Sequence, residues 1–134
     1  MKELVIEART ENLNDVLAFV DEELEKHDCG MKTQMQIDIA VEEIFVNIAH
    51  YAYNPEIGKA IIRVGVTENT VSLTFIDNGV PYDPLAKEDP DVTLSAEERQ
   101  IGGLGIFMVK KSMDDVRYEY KDGSNILTFS KELA

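Results

Sequence analysis

Glu43 and Asn47 stand four residues apart in "EEIFVN", a spacing that stacks a carboxylate and a carboxamide on one face of a helix. Those two groups suit a magnesium-nucleotide site. An amide oxygen is a hard ligand for Mg²⁺, and a carboxylate one turn away can take a proton from a hydroxyl or water aimed at a phosphate. Asp77 closes the apolar run "VSLTFID" and is followed by Gly79 in "DNGVPYDP", so a second carboxylate sits at the mouth of a turn. In "IGGLGIF", Gly102, Gly103 and Gly105 open an apolar helical stretch, where bare backbone amides and the positive end of the helix dipole welcome phosphate. Each motif alone is weak. A polar pair on a helix is usually solvated, Asn-Gly with Pro is an ordinary chain reversal, and glycines also allow close helix packing. The glycine spacing is neither that of a Walker A loop, which needs a following Gly-Lys-Ser/Thr, nor that of the dinucleotide fingerprint.

The elements that must hold these groups are legible from periodicity. "KELVIEA" alternates as a strand, and Leu13, Val16, Leu17, Val20 and Leu24 recur at helical spacing. Cys29-Gly30 ends that helix, and "TQMQ" at 33–36 has the form of a capping box, which starts a second helix near Gln34 and carries it to about Tyr53, before Asn54-Pro55. On this helix Ile37, Val41, Ile44, Ile48 and Ala52 form a core stripe, whereas Glu43, Asn47 and His50 share a separate polar face. His50 is read either as structural or as a group that orients its neighbours. Two strands follow, turning at Glu68-Asn69-Thr70. The polar segment from Asp83, with Pro84 and Pro90, reads as a surface loop or partly helical lid over about 83–101. A third helix begins at the glycine cluster, and a hairpin turning at 121–124 closes the chain.

Composition bounds the rest. The 134 residues are 44% hydrophobic and 29% charged, which is globular and matches one domain over 1–134. Thirteen basic against 26 acidic residues give a net charge of −13, so nucleic acid is not an expected partner. The start of the chain lacks an apolar signal region and no segment approaches a membrane span, so a cytoplasmic protein is expected. The single Cys29 has no disulfide partner, and neither a nucleophilic nor a ligand role is assigned to it.

The order of the parts is more specific than any one of them: E-x-x-x-N on a helix, a strand ending in D-x-G, a polar lid, then G-G-x-G opening a helix. In this order the sequence resembles the Bergerat-type ATP-binding domain of gyrase, heat-shock chaperones and histidine kinases, and most closely the stand-alone anti-sigma-factor serine/threonine kinases. The resemblance covers essentially the whole chain. It implies an α+β fold, a two-layer sandwich of three main helices on one face of a mostly antiparallel sheet. It implies ATP and Mg²⁺ as cofactors, with Glu43 as catalytic base and Asn47 as magnesium ligand. Asp77 would accept the adenine amino group and Gly79 would let the base approach. Gly102, Gly103 and Gly105 would line the phosphates, with Arg99 reaching them from the lid. Asn125, which stands where a Thr often lies near the adenine carboxylate, would be a further nucleotide-binding residue, and Pro81 replaces a frequent glycine, stiffening the turn. The implied function is phosphorylation of a serine on a STAS-type anti-anti-sigma protein together with sequestration of a sigma factor or other target, commonly as a homodimer. Two readings stand beside it: a nucleotide-sensing binding module without phosphotransfer, and a detached histidine-kinase-like catalytic domain. No phosphoacceptor helix of a complete sensor kinase is expected within the 134 residues.

Overall fold

In the computed structural model, which describes residues 1–53, 56–86 and 103–133, five strands form one antiparallel sheet. The strands are β1 (Lys2–Glu7), β2 (Lys59–Thr67), β3 (Thr70–Asp77), β4 (Asp115–Lys121) and β5 (Ser124–Glu132), in the spatial order β1-β2-β3-β5-β4. The helices are α1 (Leu13–Lys26), α2 (Met31–Asn47) and α3 (Gly103–Ser112). The expected class and architecture are therefore those observed.

Alternation along the strands sets the core. Ala60, Ile62 and Val64 of β2, Val71, Leu73 and Phe75 of β3, and Leu127 and Phe129 of β5 are buried on the helix-covered side. Phe75 and Phe129 stack there with ring centroids 5.9 Å apart. Val16, Val20 and Leu24 from α1 and Ile37, Val41, Ile44 and Phe45 from α2 complete the same cluster. The β2–β3 and β4–β5 connections are two-residue turns. Glu68 and Asn69 have φ of 51° and 65°, and Asp122 and Gly123 have 52° and 80°, the left-handed pair that matches the twist of a hairpin.

Two expectations about α2 are corrected. The helix begins at Met31, because Gly30 adopts an extended conformation as N-cap and its carbonyl already accepts from the Gln34 amide at 2.9 Å; Thr33 therefore lies inside the helix. At the other end α-helical geometry stops at Asn47 and a π-helical turn runs from Ile48 to Ala52. This wider turn carries the Ala52 carbonyl to the amide of Val80, 2.9 Å away. The base of the expected lid is a 3-10 turn over Pro84–Ala86, initiated by Asp83, whose Oδ1 accepts from the Leu85 amide. The rest of the lid lies outside the described residues.

Candidate nucleotide site

Asp77 and Asn125 face each other across the β3–β5 ladder, on the helical side of the sheet. They are the two buried polar residues among the described ones, at 6% exposure each, and burial on this scale requires hydrogen bonds. Asp77 Oδ1 accepts from the Gly79 amide and from Asn125 Nδ2, both at 2.9 Å. Asn125 Nδ2 also donates to the Val80 carbonyl at 2.8 Å, and Asn125 Oδ1 accepts from the Tyr82 amide at 3.1 Å and from the Tyr118 hydroxyl. A carboxamide has two donor hydrogens and two acceptor lone pairs, so these four bonds use its full capacity. Asn125 therefore fixes Asp77 and the turn behind it and has no valence left for a ligand. Both bonds to Asp77 fall on Oδ1, which leaves Oδ2 as the oxygen with accepting capacity among the described residues.

The turn after Asp77 is held as tightly. A Cβ on Gly79 would stand 2.2 Å from the Ala52 carbonyl oxygen, so only glycine fits where this turn passes the π-helical segment. Tyr53 adds a strut: its hydroxyl accepts from the Asn78 amide and donates to the Lys59 carbonyl, both at 2.7 Å. Burial pushes the Tyr53 and Tyr118 phenols up, and nearby Asp77 adds to the effect, so both remain protonated donors.

A cleft opens to solvent beside Asp77. Ile44, Ile48, Phe75 and Leu127 form its apolar floor, and Asn47, Asp77 and Asn125 supply its polar groups. Tyr51 and Tyr82 lie at its mouth with ring centroids 5.8 Å apart. The shape and lining suit a flat, largely apolar ring with one hydrogen-bonding edge.

Glu43 and Asn47 project from the last turns of α2, and Asn47 Nδ2 donates to Glu43 Oε1 at 3.3 Å. That bond orients the carboxamide so that its oxygen is the atom with capacity for a hard cation. Gly105 of α3 meets the same carboxylate, since a Cβ built there would lie 2.1 Å from Glu43 Oε2. The helix motif and the second glycine motif thus come together, and Asn47 lines the same cleft as Asp77. The residues present fit a magnesium-nucleotide: a hydrogen-bonding carboxylate at an apolar slot, then a carboxamide and a carboxylate beside a glycine-opened helix. Gly103 is the first residue of α3, while Arg99 and Gly102 lie outside the described residues. His50 is exposed, meets Tyr51 edge-to-face at 6.0 Å and does not line the cleft. Sequence reasoning missed Tyr51, Tyr53, Tyr82 and Tyr118, because aromatic residues near a turn carry no distinctive spacing.

The sequence matches the family described as histidine kinase-like ATPase domain over residues 6–131. The chain belongs to that family. A serine/threonine-protein kinase, BtrW, from Bordetella bronchiseptica is 30% identical over 104 residues, covering 77% of this chain and 73% of that protein. A serine-protein kinase, RsbW, from Bacillus cereus is 31% identical over 93 residues, covering 66% of this chain. The chain spans 58% of the length of that relative. Among solved structures, that of the RsbU and RsbW domains of Rv1364c from Mycobacterium tuberculosis superposes with a TM-score of 0.67 at 17% identity, over 99% of this chain and 33% of that one. A blue-light activated histidine kinase from Erythrobacter litoralis gives 0.59 at 16% identity, over 79% of this chain and 32% of that one. These two similarities concern the fold. As a histidine kinase-like ATPase domain, the chain is related to protein kinases of the RsbW and BtrW type, and no helix among its described residues is long and apolar enough to cross a membrane.

Proposed function

We propose that this chain is an anti-sigma regulatory factor with ATP-dependent serine/threonine protein kinase activity, acting on a STAS-type antagonist protein and holding a sigma factor or another regulated target in alternation with it. The observation that carries this reading is the convergence of Glu43, Asn47 and Gly105 beside the Asp77 cleft. The similarity to kinases of the RsbW and BtrW type supports it.

In this reading Asp77 Oδ2 accepts a hydrogen bond from the adenine amino group, Gly79 leaves room for the ring, and Asn125 acts only through Asp77 and the turn. The Asn47 carboxamide oxygen would hold Mg²⁺, and Gly102, Gly103, Gly105 and Arg99 would receive the phosphates. A magnesium ion bound there would neutralise charge on the phosphate oxygens. Glu43 accepts the proton of the substrate serine hydroxyl as that oxygen bonds to the terminal phosphorus and ADP departs.

The test is incubation with labelled ATP, Mg²⁺ and a STAS-domain protein encoded beside this chain, with wild type and Glu43→Gln. Wild type is expected to give an acid-stable phosphoserine, and the variant to transfer about 10²- to 10⁴-fold more slowly while still binding ATP. ATP binding without transfer to any such protein defeats the kinase reading and leaves a nucleotide-sensing module. An acid-labile product indicates transfer to histidine instead.

A further inference from the structure

The outer face of α2 carries an apolar ridge. Met31, Met35 and Ile39 follow at four-residue spacing and are 82%, 60% and 55% exposed, on the side turned away from Ile37, Val41 and Ile44. A helix with one buried face normally keeps its outer face polar, as α1 does with exposed Asp15, Glu22 and Glu25. On α2 apolar residues occupy both faces. Two of the three ridge residues are methionines, whose flexible thioethers adapt to an incoming apolar surface.

Met31 and Met35 of the ridge border a solvent-open groove between α1 and α2. Glu25 of α1 is its acidic member at the surface, while the partly buried Asp38 of α2 faces Asp21 of α1. Glu42, exposed one turn beyond Asp38, extends the acidic border along the same side of the ridge. Lys32 is the one basic residue of α2. An apolar ridge with an acidic flank selects for a segment of opposite pattern. A second copy of this chain, at a net charge of −13, would set like charges against each other, and an anionic bilayer has the wrong sign too.

We propose that this ridge and groove dock an amphipathic helix of a partner protein, seated apolar side down on Met31, Met35 and Ile39 with Lys or Arg side chains directed to Glu25 and Glu42. The mode is helix-in-groove recognition, with anchors spaced one turn apart. Met35 lies about 18 Å along the helix axis from Asn47, so the docked segment would sit on the same rigid element as the polar pair without entering the cleft. This inference does not depend on phosphotransfer.

The experiment is fluorescence anisotropy with a labelled peptide of about five helical turns, carrying Leu at i, i+3, i+4 and i+7 and Lys on the flanks. Two control peptides share its length: one with Glu on the flanks, and one of identical composition scrambled to abolish the apolar face. The basic amphipathic peptide should bind wild type, and about tenfold more weakly both to a Met35→Ser/Ile39→Ser double variant and to Glu42→Lys. These exposed substitutions should leave the melting temperature nearly unchanged. Absence of binding, or equal binding to the double variant, overturns the proposal, as does equal binding by the scrambled peptide, which marks charge alone. Ridge-dependent dimerisation in sedimentation, or ridge-dependent binding to phosphatidylserine vesicles, assigns the face to another occupant and equally overturns it.

Discussion

Asn125 shows how much one side chain can be asked to hold. Its four hydrogen bonds join β5, the carboxylate of Asp77, the turn at Val80–Tyr82 and Tyr118 of β4. Asn125→Leu leaves several buried partners unpaired, and a loss of about 1–3 kcal/mol in denaturant-measured stability is expected. Nucleotide affinity should fall with it, because Asp77 loses its orienting donor. Asp77→Asn separates the two effects: the fold should tolerate an isosteric amide better, while ATP affinity measured by calorimetry drops about tenfold or more. Unchanged affinity removes the adenine role from Asp77. The sequence placed Asp77, Gly79, Glu43, Asn47 and Gly105 in one site because each lies in a motif with its own backbone signature. Asn125 came in through the resemblance alone, and spacing along the chain cannot reveal the four hydrogen bonds that its side chain makes within the fold.

Glycines in two elements serve different ends, and substitution should tell them apart. At Gly79 an added methyl meets backbone, the Ala52 carbonyl at 2.2 Å, so Gly79→Ala must displace the turn or the π-helical segment. A destabilisation of about 1–3 kcal/mol is expected from this overpacking. At Gly105 the methyl meets the far end of the Glu43 side chain, which can swing aside. Gly105→Ala should therefore melt within a few degrees of wild type, while the proposed phosphotransfer falls about 10-fold or more because Glu43, the proposed base, is displaced. Equal losses of stability at both positions would contradict this division. Strands and helix faces were legible because alternation and 3.6-residue spacing are strong signals. The start of α2 was not, because "TQMQ" has capping-box chemistry while Gly30, three residues earlier, supplies the extended backbone that a cap requires. The end of α2 was not either, since π and α turns draw on the same residues.

Across the whole molecule the net charge is −13, and one acidic contact, Asp38 with Asp21, lies between α2 and α1. Burial pushes the Asp38 carboxyl up to about 8, and the hydrogen bond to Asp21 with the charges of Asp21 and Glu25 pushes in the same direction. A folded-state value raised above the ordinary 3.8 contributes stability that is complete below the unfolded value and lost as pH rises through about 8. Asp38 is partly solvent-exposed, so screening holds the effect to about 1 kcal/mol. Asp38→Asn should remove this dependence and raise the melting temperature by a few degrees at pH 9 relative to wild type, with little change at pH 4. An equal shift at both pH values, read by thermal circular dichroism, would assign the effect to packing instead of charge.

The π-helical turn at Ile48–Ala52 can also be viewed as a difference in chain length. A π turn takes in one more residue per loop than an α turn, as a single inserted residue would. Its presence lets the helix overrun Asn47 and place the Ala52 carbonyl against Val80 without altering the register of Glu43 and Asn47. Deleting one residue here, such as Ala49, would restore uniform α geometry, rotate everything beyond it by about 100° and unfasten the turn that holds Asp77. In descendants of this chain, gains or losses of single residues at this helix end would retune the Asp77 side of the cleft while leaving the Glu43–Asn47 pair in place.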